Sequence, residues 1–387
     1  MGFQSQIQEA LNTLEKTGLR RYPPTIAGAQ GPVVRVAGRE VLCFCSNNYL
    51  GLAGHPQVQA AVRAALQAEG CGSGASRLIS GTMNVHREAE AALAGFVGQP
   101  DAVLFSAGYA ANVGTLQALL GPEDAVFSDA LNHASLIDGC RLSRARVHVY
   151  RHGDADHLAE LLASHRQKAR RALVLTDSLF SMDGDVAPLP RLAELAEEHE
   201  AGLMVDEAHA LGVLGPEGRG LAAAEGVHPD LLVGTLGKSF GVAGAFVAAS
   251  ESMTAFLRNR ARSFVYSTAP SPMLVRAALA ALPLVRDAED RRARLVRHAS
   301  RMRRELRQLG FDVPLGAGPI VPVILGDNRR TMELSEALLE RGVFVQGIRP
   351  PTVAPGTARL RLTAMATHDE AHIDRAIEAF AETVRRS

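Results

Sequence analysis

Ala201-Gly-Leu-Met-Val-Asp206-Glu-Ala-His209-Ala-Leu-Gly212 is the stretch whose reading decides the fold. Leu203, Met204 and Val205 form a short apolar run of the kind that becomes a strand buried on both faces. Asp206 stands at the C-terminal end of that run, where open α/β sheets place their ligands. His209 follows three residues later.

The letters VDEAH also spell the DEAH box of nucleic-acid-dependent ATPases, which need an upstream phosphate loop, GxxxxGK[ST]. Here Gly237-Lys238-Ser239 lies downstream, and Leu232 stands where the first glycine of the loop belongs. The order is wrong and the loop is broken. Lys plus Arg and Asp plus Glu are 41 each, so the basic excess expected of a nucleic-acid binder is absent as well.

Working outward, the same rhythm of apolar run, polar stop and helical pattern recurs. Strands are expected at Ala102–Phe105, Ala125–Phe127, Val147–Tyr150, Ala172–Leu175, Gly202–Val205, Leu231–Val233 and Ala245–Ala248. Amphipathic stretches such as Ala155–His165 and Leu189–His199 lie between them. This alternation reads as an α/β domain with a large, mostly parallel sheet covered on both faces. Beyond STAPSPM (Ser267–Met273) the pattern changes to one long helix over Leu274–Leu309. Strand Ile320–Leu325, helix Arg330–Arg341, strands Val343–Gln346 and Arg359–Thr363, and a last helix Asp369–Arg385 follow. The expected organisation is a helix and extended arm over 1–45, a large domain over 46–270 and a smaller α+β domain over 271–387. The two flanking segments pack together as a second lobe.

With 387 residues and a hydrophobic fraction of 47%, the chain can bury a large core. No apolar run reaches the roughly 20 residues that span a bilayer. The polar, helix-patterned start lacks the apolar centre of a secretory signal. Gln6 sits where a myristoylation start needs Ser or Thr. Cys43, Cys45, Cys71 and Cys140 form no CxxC pair and read as free thiols of a cytoplasmic protein. No HExxH or zinc spacing occurs, so no metal is expected.

Lys238 lies in Gly234-Thr-Leu-Gly-Lys238-Ser-Phe-Gly241, just past the Leu231–Val233 run. A lysine there is ordinarily a solvated turn residue. The flanking glycines clear space around its amine, however, and Asp206 ends a neighbouring strand. An aldehyde cofactor needs a lysine for its Schiff base and a carboxylate that keeps its pyridine nitrogen protonated. Asp206 and Lys238 supply both. In Phe105-Ser-Ala-Gly108-Tyr109 a strand runs into a helix start, whose free N–H groups suit a phosphate. His133 follows the next strand and can stack on the ring. Ser181, in a turn with Asp183, can donate to the cofactor's oxygen.

DSLFSMDGD, LMVDEAHALG and GTLGKSFGVAGA, in this order, resemble the α-oxoamine synthases, a branch of the fold-type I pyridoxal-phosphate (PLP) transferases. The resemblance runs nearly end to end, from Arg20-Arg21-Tyr22-Pro23 through SNNYLGL (Ser46–Leu52) and GCGSGASRLISGT (Gly70–Thr82) to the last strand. The string Arg349-Pro-Pro-Thr352-Val is nearest to the biotin-pathway branch, which joins L-alanine to a pimeloyl thioester. Glycine-using siblings, of the 5-aminolevulinate synthase and 2-amino-3-ketobutyrate ligase types, usually carry Tyr-Pro there, and a sibling using glycine or another acyl thioester is the alternative.

The resemblance implies a role for each matching position. Lys238 would carry the cofactor and Asp206 would pair with its ring nitrogen, with His133 stacked on the ring. His209 and Ser181 would meet the ring hydroxyl. Gly108, Tyr109 and Thr235 would hold the phosphate, joined by Ser267 and Thr268 from the second subunit of a homodimer. Arg361 would fix the amino-acid carboxylate, with Asn47 a further candidate. On Arg359-Leu-Arg361-Leu-Thr363 both arginines would share one face while the leucines face the core. Arg20, with Arg21 as the alternative, and Thr352 would hold the acyl group. Coenzyme A or an acyl carrier protein would deliver that group. The joint presence of Lys238, Asp206, His133 and Arg361 argues against a catalytically silent scaffold.

Overall fold

The computed structural model describes residues 2–384, which divide into two compact units. The larger comprises Asn47–Ser181 and Asp185–Ala293. The smaller comprises the first 46 residues, Met182–Gly184 and the chain from Arg294 onward. The division therefore falls within the helix Glu289–Gln308, past the expected border at 270/271.

The larger unit is built on a seven-stranded sheet. Its spatial order is Asp101–Phe105, Ala245–Ala249, Leu231–Thr235, Gly202–Asp206, Ala172–Asp177, Ala125–Asp129 and Arg146–Tyr150. Ala245–Ala249 runs antiparallel to both neighbours and every other adjacent pair is parallel. All seven expected strands form, most with one or two extra polar residues at an end. Period-2 alternation sends their apolar side chains to opposite faces. Val103, Phe105, Val126, Leu175, Met204 and Val233 join one core with Leu116, Leu136 and Phe264. Phe127, Val174, Leu203 and Val205 join another with Leu158, Leu162, Leu192 and Leu195. At the far edge, Val147 and Val149 are 41% and 56% exposed, as befits a strand with one neighbour.

The expected continuous helix over Leu274–Leu309 is two helices, Pro272–Arg286 and Glu289–Gln308. Pro283 contributes no N–H to the first. Asp287, Glu289 and Asp290 suit a new N-terminus, where carboxylates meet the positive end of the helix dipole. Arg292 closes the break by donating to the carbonyls of Val285 (2.6 Å) and Arg286 (3.0 Å).

In the smaller unit the expected extended arm contains a hairpin. Val33–Val36 pairs with Arg39–Cys43 across Ala37 and Gly38, both at positive φ (48° and 80°). Two such residues form the mirror-image turn whose twist matches that of a hairpin. The expected strand Val343–Gln346 is also corrected. Val343–Phe344 extends the hairpin sheet, whereas Gln346–Ile348 pairs with Ala358–Thr363 in a second sheet that also holds Ile320–Gly326. Val345 is the corner between them. Along Ala358–Thr363 every residue is buried, so the two arginines are enclosed like the leucines. The last helix is Glu370–Val384, and Arg385 lies outside the described residues. Among the described residues no helix is long and apolar enough to cross a membrane.

Candidate active site

Register pairs Asp177 with Asp206 at the C-terminal ends of two neighbouring parallel strands. Asp129 ends the next strand one position out of step with Asp177, and all three carboxylates are nearly fully buried. Buried carboxylates placed close together repel one another unless cations or donors face them. Asp206 accepts from Asn112 Nδ2 at 2.7 Å and from the backbone N–H of Ala208 at 2.9 Å. Asp177 accepts from the backbone N–H of His133 at 2.7 Å. Burial and the charge of Asp206 hold the Asp177 carboxyl well above the usual range, and Lys238 opposes that rise. Asp129 faces His152.

A single donor chain links Asp206 to His133. Asn112 Nδ2 donates to Ser135 Oγ (2.8 Å) as well as to Asp206, and Ser135 Oγ lies 2.7 Å from His133 Nδ1. Ser135 also directs its backbone N–H at the same ring nitrogen (3.3 Å). Two donors aimed at Nδ1 leave the ring proton on Nε2. Crowding by neighbouring groups lowers the pKa of His133, Asp206 pulls it upward, and Lys238 adds to the fall. The ring is therefore neutral near pH 7, and the residue is exposed on its open side. The charges of Lys238 and Asp206 thus both reach His133 and Asp177.

The chain has three lysines, Lys16, Lys168 and Lys238. Lys16 ends the first helix and Lys168 lies on an exposed turn. Lys238 is partly buried, three residues beyond the strand Leu231–Thr235.

Helix Gly108–Leu119 begins three residues after the strand Asp101–Phe105, with no side-chain cap at Ala107. Its first N–H groups remain available to an anion. A Cβ placed on Gly108 would sit 3.8 Å from Thr235 Oγ1, so the helix start and the end of the Lys238 strand share one small-residue floor. His209 is buried and its Nδ1 lies 2.7 Å from Tyr49 OH, which donates to Asn47 Oδ1 at 3.1 Å. Thr268 pairs with Ser76 in an isolated bridge, which pins the Ser267–Thr268 segment to the loop after Gly70.

These features fit PLP. An oriented buried carboxylate suits the pyridine nitrogen, an uncapped helix start beside a threonine suits the phosphate, and one lysine is in electrostatic reach of His133 and Asp177. Asn112 Oδ1 is buried without a partner, so this amide is committed to donation.

Among the remaining candidates, all in the smaller unit, Arg361 is 6% exposed on its strand. Its neighbour Arg359 is committed to Asp183. Arg20 pairs with Glu15 (3.2 Å) and lies over the Tyr22 ring. Arg21 Nη2 instead reaches Pro350 O and Thr352 Oγ1 (3.3 and 3.4 Å). Asn112, Ser135, Asp177 and Tyr49 were not singled out from sequence. Asn112 stands one helical turn after Gly108–Tyr109, and Asp177 ends an apolar run as Asp206 does. Those were the available signals.

Residues 39–380 match the family model for class I and II aminotransferases. A curated relative, 8-amino-7-oxononanoate synthase of Anaeromyxobacter dehalogenans, is 52% identical over 96% of this chain and 93% of its own. A variant of serine palmitoyltransferase from S. paucimobilis, solved with bound PLP–myriocin, superposes with a TM-score of 0.94. It is 31% identical and covers 100% of this chain and 99% of its own. The 8-amino-7-oxononanoate synthase of Francisella tularensis gives a TM-score of 0.77 at 28% identity, covering 89% and 98%.

Proposed function

The chain belongs to the class I and II aminotransferase family, in its α-oxoamine synthase branch, and from that membership we propose that it makes 8-amino-7-oxononanoate from L-alanine and a pimeloyl thioester. This is a decarboxylating acyl transfer in biotin biosynthesis, with PLP as cofactor. The observation that carries the reading is the placement of Asp206, locked by Asn112 and Ala208, and Lys238, whose charges both reach His133 and Asp177.

Bound in this pocket, PLP supplies an electron sink for the carbon beside the amino group. The residues do the rest. Asp206, kept in place by its two donors, would meet the ring nitrogen. Gly108, Tyr109 and Thr235 would receive the phosphate, and Ser181 and His209 would meet the ring hydroxyl. Lys238 would hold the cofactor's aldehyde, and its Nζ would accept the alanine Cα proton. His133 would lie against the ring and offer Nε2–H to the thioester oxygen as charge develops there. Forming the carbon–carbon bond expels the thiol, and the alanine carboxylate then leaves as CO2.

Arg361 is the guanidinium for the alanine carboxylate before that loss, since a planar fork matches it; Asn47 is the second candidate. For the acyl group, the reach of Arg21 to Thr352 favours Arg21 over Arg20, which is engaged by Glu15. The working form is a cytoplasmic homodimer in which Ser267 and Thr268 of each copy complete the phosphate contacts of the other.

The test is turnover of purified, PLP-loaded protein with pimeloyl-CoA or pimeloyl carrier protein and alanine, glycine or serine in parallel. Alanine should give CO2, free thiol and the amino-oxo acid in equal amounts, with glycine and serine at least about tenfold slower. Preference for glycine would transfer the protein to the sibling branch.

A further inference from the structure

His152 lies outside the machinery above, in Tyr150-Arg-His152-Gly just past the edge strand Arg146–Tyr150. Both of its ring nitrogens face carboxylates. Nδ1 is 2.9 Å from Asp129 Oδ1 and Nε2 is 2.7 Å from Asp185 Oδ2. A neutral imidazole has one N–H and would turn a lone pair toward one carboxylate at that range. Only the imidazolium donates to both. The ring also meets Phe180 edge-on, with centroids 4.4 Å apart.

The two carboxylates belong to the two segments that bracket the proposed cofactor ring. Asp129 ends its strand and accepts from the backbone N–H groups of Leu131 (2.8 Å) and Gly153 (2.9 Å), so it shapes the turn leading to Asn132 and His133. Asp185 closes the loop bearing Ser181, through Phe180 N–H to Asp185 O (2.9 Å) beside the Leu179–Val186 bridge. The charge of Asp129 also reaches Asp177. On its own segment, Arg151 is engaged by Asp154 (2.8 Å) and does not compete.

We propose that His152, bridging Asp129 and Asp185, is a positioning residue for the cofactor pocket: it clasps the Ser181 loop to the strand end that carries His133. The inference rests on the PLP reading. Burial alone would lower the pKa of His152, but the hydrogen bonds and charges of Asp129 and Asp185 outweigh it and raise the pKa from 6.5 to about 10. With the folded value raised, the clasp is complete below the ordinary histidine range and is lost as pH climbs through about 10.

The experiment titrates apo-protein with PLP by absorbance from pH 7 to 11, for the native chain, H152Q and D185N. Native affinity should fall in a step near pH 10. H152Q should bind PLP about tenfold more weakly at pH 7.5, the loss of one charged hydrogen bond, and should lack the His152 step. D185N should keep that step, moved down by at least about one pH unit because one of two carboxylates is gone. A residue that only fills space would leave the midpoint in D185N unmoved. If both variants bind within twofold of native with unchanged pH profiles, the inference falls and the PLP reading stands. If the native chain binds no PLP, the reading itself falls. Should H152Q fail to fold, the native and D185N titrations decide.

Discussion

Asn112 holds Asp206 through one amide hydrogen and Ser135 through the other, and so sets both the carboxylate and the tautomer of His133. A hydrogen bond to a charged group contributes about 1.5–3 kcal/mol. Asn112→Ala should therefore weaken PLP binding about tenfold to a hundredfold and raise the apparent pKa of His133, since Ser135 is released to turn away. PLP titration and an NMR titration of His133 in the apo-protein check this; unchanged values in both would remove Asn112 from the site. Lys238, Asp206 and His133 could be read from the sequence as candidates because each lies shortly after an apolar run, at the end of a strand where open α/β sheets place their ligands. Asn112, Ser135 and His152 were not. Their roles exist only after four chain segments meet, and the Asn112–Asp206 bond spans 94 residues.

At the scale of elements, the seven strands were readable because strands buried on both faces must be nearly continuous apolar runs. What escaped the reading depends on small backbone differences. Apolar periodicity passes through Asp287–Ala288 unbroken, yet Arg292 captures the carbonyls that end the first helix. The turn at Ala37–Gly38 carries no strong signal, since alanine is rarely found at positive φ. Gly241 belongs to this scale too. Its φ is +68°, its N–H donates to Lys238 O at 2.9 Å, and a Cβ there would lie 2.3 Å from Ala53 N. The clash is with backbone, which cannot rotate aside. Gly241→Ala should cost about 1–3 kcal/mol of stability and displace the Lys238 turn. Urea unfolding together with a fall in PLP absorbance at saturation would show it; a stable variant with native cofactor loading would contradict it.

For the whole molecule, Asp206 held by two donors at a strand end, an uncapped helix start beside Thr235 and Lys238 just past the neighbouring strand suit one chemistry, a lysine-bound aldehyde acting as electron sink. A second copy is implied by the resemblance and is part of the proposal. In keeping with it, Ile79 and Tyr266 are 79% and 73% exposed in the isolated chain. Everything proposed here depends on which amine holds the cofactor, and three lysines make the question small. Borohydride reduction of the PLP-loaded protein converts the cofactor–lysine linkage to a stable secondary amine, which peptide mass mapping then locates. One pyridoxyl group per chain, on the peptide containing Lys238 and on neither Lys16 nor Lys168, is the expected result. A label on either other lysine, or an unlabelled Lys238 in protein that still turns over, would contradict it.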